Sequence, residues 1–75
     1  MATVVALDPD GIDPIVVIDT PGRVTHYLDL SEVIGITVSR NGVKAHLPGG
    51  MIEIDDIKLE DGELIAERWL ALRQN

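Results

Sequence analysis

Between Val33 and Leu47 the chain alternates apolar and polar residues on either side of Asn41-Gly42. Ile34, Ile36 and Val38 occupy every second position before that pair, and Ala45 and Leu47 do so after it. Thr37, Ser39, Lys44 and His46 fill the gaps. A period of two belongs to a half-buried β-strand, and Asn-Gly supplies the two positive φ angles that a type I′ turn needs. The spacing predicts a hairpin with Asn41 and Gly42 in its loop, Val38 facing Ala45 and Ile36 facing Leu47. A slip of one residue would mix the two faces, so the pattern itself selects against it.

The flanking stretches extend this into a meander. Thr3 to Leu7 is a short β-prone run stopped by Asp8-Pro9-Asp10-Gly11, a turn-forming tetrapeptide. Ile15 to Ile18 is four consecutive β-branched residues, too short for a helix and suited to a strand. Both faces of that strand are apolar, so a second layer or another molecule is expected to cover it. Thr20-Pro21-Gly22-Arg23 fits a type II turn, with Pro second and Gly third. The next strand places Val24, His26 and Leu28 on one face and Thr25 and Tyr27 on the other. After Pro48-Gly49-Gly50 comes a brief strand, Met51 to Ile54.

The chain's last periodic segment is helical. Ile65, Trp69 and Leu72 stand at i, i+4 and i+7, one stripe of an α-helix, with Leu64 and the stem of Arg68 beside it. Asp61 is placed to cap its start, and Glu63, Arg68 and Arg73 match the helix dipole. Leu70 falls off the stripe, on the side of Glu63 and Glu67. The expectation is an α+β fold: a small antiparallel β-meander of four or five strands within residues 3–54, with one C-terminal α-helix, about 61–73, packed on the sheet. Residues 1–75 are read as a single small domain.

Composition changes this picture in two ways. With no Phe, one Trp and one Tyr, the core has to be aliphatic. A chain of 75 residues buries little surface, and without cysteine it has neither disulfides nor thiolate metal sites to compensate. A partner surface, whether another protein or a second copy, is therefore expected to contribute stability. Residues 1–7 lack an export signal's basic start, and no apolar run reaches the ~20 residues of a membrane span, so a cytoplasmic location and no membrane association are expected.

Charge is the second change. The net charge is −7. Residues 1–22 contain four aspartates and no base, and residues 53–63 contain six acidic groups against Lys58. Direct binding to nucleic acid is not expected, because that affinity comes from cations neutralising phosphates.

Candidate chemistry is sparse. Asp8, Asp10 and Asp13 bracket Gly11, but the spacing does not follow an EF-hand loop. His26 and His46 lie on different strands with no patterned carboxylate or cysteine beside them, short of the three or four ligands of a zinc site. No serine has a visible partner base, and Pro48-Gly49-Gly50 lacks the lysine of a phosphate loop. Neither an enzyme nor a cofactor or metal is expected.

The residues that exceed the needs of a plain monomer are apolar or acidic. Ile15, Val16, Val17, Ile18, Trp69 and Leu70 form the candidate interface, with Trp69 assigned rather to the core. Asp55, Asp56, Glu60, Asp61 and Glu63 form a candidate acidic patch. The expected role is a non-enzymatic protein–protein interaction module. It would serve as a subunit of a larger assembly or as an accessory regulator of the kind that phage and mobile elements encode. The rival is an acidic inhibitor that occupies the basic nucleic-acid-binding groove of a partner protein, as anti-CRISPR-type proteins do. It requires the acidic stretches to share one face.

Overall fold

The computed structural model describes residues 1–7 and 13–74. The Asp8–Gly11 turn and the Asp8 and Asp10 carboxylates thus lie outside the described residues. The order of elements is β1 (Thr3–Leu7), β2 (Ile15–Thr20), β3 (Val24–Asp29), a 3₁₀ turn (Leu30–Glu32), β4 (Gly35–Ser39), β5 (Gly42–Leu47), β6 (Gly50–Asp55) and α1 (Leu59–Arg73). The α+β class and terminal helix are as expected, but the described residues form six strands, not four or five. They form two three-stranded antiparallel sheets, β1-β2-β3 and β4-β5-β6.

Two junctions hold the sheets together. At the first, Asp29 turns the chain: its Oδ1 accepts from the Ser31 N–H at 2.9 Å and from the Ser31 hydroxyl at 2.6 Å. The 3₁₀ turn that follows sinks Leu30 and Val33 into the core. At the second, the Ala2 N–H donates to the Asp56 carbonyl at 2.7 Å, and Ala2 and Ile57 form a parallel bridge. The Ile57 N–H donates in turn to the Asn41 carbonyl at 3.3 Å. Asp56 takes a left-handed φ of 58° to make this corner, one of the few non-glycine residue types that tolerate it.

The core is one aliphatic cluster. Val16, Ile18 and Leu28 come from the first sheet, Val43, Ala45 and Ile54 from the second, with Leu30 and Val33 from the corner and Ile65 from the helix. Ala2 and Ile57 close the far junction, and no polar side chain is buried among the described residues.

The central hairpin differs from expectation by two residues in its pairing. Val38 faces Val43, Ile36 faces Ala45 and Ser39 faces Gly42, so the loop is Arg40-Asn41, and no residue in it has positive φ. Because the shift is even, Ile36, Val38 and Ala45 still share the core face, as the alternation required. The physical reason is Arg40. A loop at Asn41-Gly42 would have put Arg40 in the ladder opposite Val43, with its guanidinium on the core face. Moving the turn back one residue releases Arg40 to solvent and pairs Val43 with Val38. Ile34, assigned to the apolar face, precedes the strand and is exposed.

The first hairpin, β2–β3, has a three-residue loop, Pro21-Gly22-Arg23, with Thr20 opposite Val24. Gly22 has φ of 87°, as a type II turn asks of its third residue, and Arg23 follows at 64°. The two hairpin glycines should therefore respond differently to a methyl group. Gly22→Ala is expected to cost about 1–2 kcal/mol in urea unfolding, the strain of left-handed backbone, although nothing crowds its Cβ. Gly42→Ala meets the Ile54 carbonyl at 3.2 Å but keeps ordinary φ, and should cost less, about 1 kcal/mol or under. A larger loss at Gly42 than at Gly22 would contradict the observed turns.

The helix begins at Leu59, two residues earlier than expected, and the residue preceding it is Lys58, which makes no side-chain cap. Asp61 sits in the first turn beside Glu60, where both complement the positive end of the dipole. Gly62, Ile65, Trp69 and Leu72 face inward, with Gly62 and Ile65 fully covered. The helix lies along β4, the 3₁₀ turn and β5.

Candidate functional site

Strand β2 is the middle of the first sheet, and alternation divides its four branched residues between two environments. Val16 and Ile18 are 0% exposed within this chain's own core. Their assignment to an interface is corrected: both are fully buried in the aliphatic cluster to which the two sheets, the corner and the helix contribute. Ile15 and Val17 point the other way and are half-buried.

That outer face of the first sheet is the site. Cross-strand pairing sets Val17 between Ala6 of β1 and Tyr27 of β3, and Ile15 beside Asp29. Between Val4 and Ala6 the register shifts, and the extra residue, Val5, is thrown outward and exposed. A shallow trough of about 480 Å³ runs over Val5, Ala6, Leu7, Asp13, Ile15 and Val17. Tyr27, 72% exposed, stands at its β3 side. The rows on either side of Tyr27–Val17–Ala6 each hold an aspartate: Asp29 opposite Ile15, and Asp19 opposite Thr25. Asp19 Oδ1 accepts from the Thr25 hydroxyl at 2.8 Å, and Asp13 Oδ1 accepts from the Ile15 N–H at 2.9 Å. These hydrogen bonds orient the carboxylates, yet a neutral donor does not cancel their charge.

Tyr27, Val5 and Ala6 were not singled out from the sequence. Tyr27 was visible there as the polar-face residue of an alternating strand, but its position opposite Val17 depends on the register of the first hairpin.

The helix residues separate similarly. Trp69 packs against the core, its Nε1–H donates to the Val33 carbonyl at 2.9 Å, and the Arg73 guanidinium lies 5.1 Å from its ring centroid. Such a stacked cation adds roughly 0.5–1 kcal/mol. Leu70 is 50% exposed, and Leu59 and Leu64 are also exposed on the helix. At 100° per residue Leu70 and Leu59 fall close together around the helix axis, with Leu64 well to the other side. Exposed glutamates at 60, 63 and 67 stand among them, so no continuous apolar strip forms.

The acidic residues do not gather on one face. Asp55 shares the outer face of the second sheet with Glu53, opposite Gly42 and Lys44, while the helix packs on the other side of that sheet. Asp56 occupies the corner, 3.5 Å from the Met1 ammonium. Glu60 and Glu63 project from the helix, and Asp61 is half-buried.

A second, smaller depression of about 210 Å³ lies on that outer face, over Thr37, Ser39, Lys44, Glu53 and Asp55, where Gly42 has no side chain. Of its two hydroxyls, Ser39 Oγ donates to the Gly42 carbonyl at 3.1 Å and Thr37 Oγ1 is engaged by a histidine that does not itself line the depression. That histidine, His46, lies 3.1 Å from the Thr37 hydroxyl. His26 belongs to the other sheet, opposite Ile18, so the two histidines do not meet across one sheet. Among the described residues no group of three His, Cys, Asp or Glu side chains is placed to hold a metal ion, and no helix is long and apolar enough to cross a membrane. No protein-family model matches this chain, and neither the curated proteins nor the solved structures compared with it supply a match.

Proposed function

We propose that this protein is a non-enzymatic interaction module that docks a partner protein on the outer face of its first sheet. The observation that carries the reading is the row Tyr27–Val17–Ala6, with Ile15 and Val5 beside it: apolar side chains on a sheet face that no other described element covers. A monomer scatters exposed apolar residues singly, whereas contiguous ones rimmed by polar groups mark interaction surfaces. Tyrosine is enriched among the residues that dominate interface energetics. The helix is the weaker candidate, because Leu70 is interrupted by glutamates and Trp69 is held by the Val33 carbonyl and Arg73. A subunit of a larger assembly, or an accessory regulator, would use such a surface.

The test is where binding energy resides on the complex purified from the source cells. Tyr27→Glu is expected to lower partner affinity by about 100-fold, the loss of one hot-spot side chain plus a desolvated charge. Its thermal melt should stay close to that of the unaltered chain, since Tyr27 is exposed. Leu70→Glu should bind normally. The acidic-inhibitor reading predicts the reverse: binding lost when Asp55, Asp56, Glu60 and Asp61 are neutralised to Asn or Gln, and kept in Tyr27→Glu. That outcome would replace our proposal.

A further inference from the structure

We infer that the partner of this surface is an extended, basic segment that adds as a fourth strand to the free edge of β3; this rests on the docking face proposed above. Three observations converge on that occupant.

The first is the backbone. The Leu30 N–H donates to the Pro14 carbonyl at 3.0 Å, and these two residues continue the β2–β3 register by one step. In an antiparallel ladder, bonded and non-bonded pairs alternate. Leu28, His26 and Val24 therefore turn their N–H and C=O groups toward β2, while Thr25, Tyr27 and Asp29 turn theirs to the open side. β3 is the edge of its sheet, and no strand of the described residues pairs there.

The second is that the other edges are guarded and this one is not. β1 carries the bulge at Val5 and is tied at Ala2, β4 is flanked by the helix, and β6 bears Glu53 and Asp55. Bulges, covering elements and charges are how sheets block edge pairing. β3 has no proline and no bulge, and its one charged residue, Asp29, stands at the strand's end, which leaves the run Thr25-His26-Tyr27-Leu28 without a formal charge.

The third is charge. Thr25, Tyr27 and Asp29 also supply the outer-face side chains of β3, with Asp19 next to Thr25. An added strand would place every second residue beside this row: an apolar one against Tyr27, a cation directly across from Asp29, and opposite Thr25 a second cation long enough to reach over it to Asp19 on β2. Cross-strand neighbours of opposite charge stabilise a sheet and like charges destabilise it. The complementary sequence is thus a cation, an apolar residue and a cation at alternate positions. A second copy of this chain, with net charge −7 and the same aspartates, does not offer it.

The probe is the capped peptide Thr-Lys-Thr-Val-Thr-Lys-Thr, titrated into labelled protein and followed by amide NMR. Shifts and slowed exchange are expected at the Thr25, Tyr27 and Asp29 amides, the α1 amides staying unmoved. Replacing both lysines by glutamates should weaken binding about tenfold or more, by turning the cross-strand attraction to Asp29 and the longer-range one to Asp19 into repulsions. Thr25→Pro deletes an outward N–H without touching the β2 ladder, a substitution that edge strands accept, and should cost about tenfold. Effects centred on α1 or the second sheet, equal binding of the two peptides, or a concentration-dependent dimer abolished by Thr25→Pro would each overturn the inference. Should Tyr27→Glu abolish binding of the host partner while Thr25→Pro leaves it intact, the docking face stands and strand addition falls. The peptide comparison on the unaltered protein holds even if Thr25→Pro fails to fold.

Discussion

Trp69→Ala is expected to unfold the isolated protein or bring it close to unfolding at room temperature. Truncating a packed aromatic costs ~3–5 kcal/mol, and a chain this small has little stability to spare. Trp69 has more than area to lose. Its ring covers the core beneath the helix, its Nε1–H satisfies the Val33 carbonyl at 2.9 Å, and it supports Arg73. Val33 is buried at the point where the chain passes from one sheet to the other, so alanine there would leave its carbonyl without this donor. Trp69→Phe separates the two contributions: it keeps most of the apolar contact and loses the hydrogen bond, for an expected cost of about 1–2 kcal/mol. Urea unfolding of both variants checks this. A Trp69→Ala protein that melts normally but has lost partner binding would return Trp69 to the interface.

Gly62→Val is expected to detach the helix from the second sheet, at about 3 kcal/mol or more. A Cβ on Gly62 would stand 2.9 Å from Val43 Cγ2 and 3.0 Å from Val38 Cγ1. Those methyl groups belong to stiff β-branched side chains, buried Val43 and half-buried Val38, which have little freedom to swing aside. Either the helix lifts, uncovering Ile65 and Trp69, or the hairpin distorts. Overpacking of this kind costs ~1–3 kcal/mol for small intrusions, and valine's two further methyl groups add to it. Gly62→Ala gives the informative comparison. In an exposed helix the change would gain about 1 kcal/mol of helix propensity, whereas here it should give a net loss. A stabilised Gly62→Ala variant in a chemical denaturation series would show that helix and hairpin do not approach as closely as described.

The inward stripe and the outward face bear differently on function. Gly62, Ile65, Trp69 and Leu72 are engaged by the hairpin and the corner, which removes the helix's most apolar side from any partner. The outer face of the first sheet keeps a contiguous share of the remaining apolar surface, because a strand with four branched residues in a row can turn only alternate ones inward, and Val5 and Tyr27 on the flanking strands are exposed beside them.

Local pattern was enough to identify an antiparallel meander and the helix that ends the chain, but it led to an expected four or five strands where the described residues form six. Periods of two and of 3.6 are written into successive residues and need no distant partner to be read. The faces of the central hairpin were legible for the same reason, since Ile36, Val38 and Ala45 stay together under any even shift of register. The turn itself was not, because Asn41-Gly42 is favoured locally while the solvation of Arg40 and the pairing of Val43 with Val38 are settled by the core. Nor was the division into two sheets, which depends on the hydrogen bond from Ala2 to the Asp56 carbonyl and on the Asp29 corner, contacts between residues far apart or set by one side chain's orientation. Gly62 reads in sequence as a weakness of the helix, and only the close approach of Val38 and Val43 makes it a requirement. The site shows the same limit: Ile15 to Ile18 announced surplus apolar surface, but which two of the four remain for a partner was decided by what packs on the other side of β2.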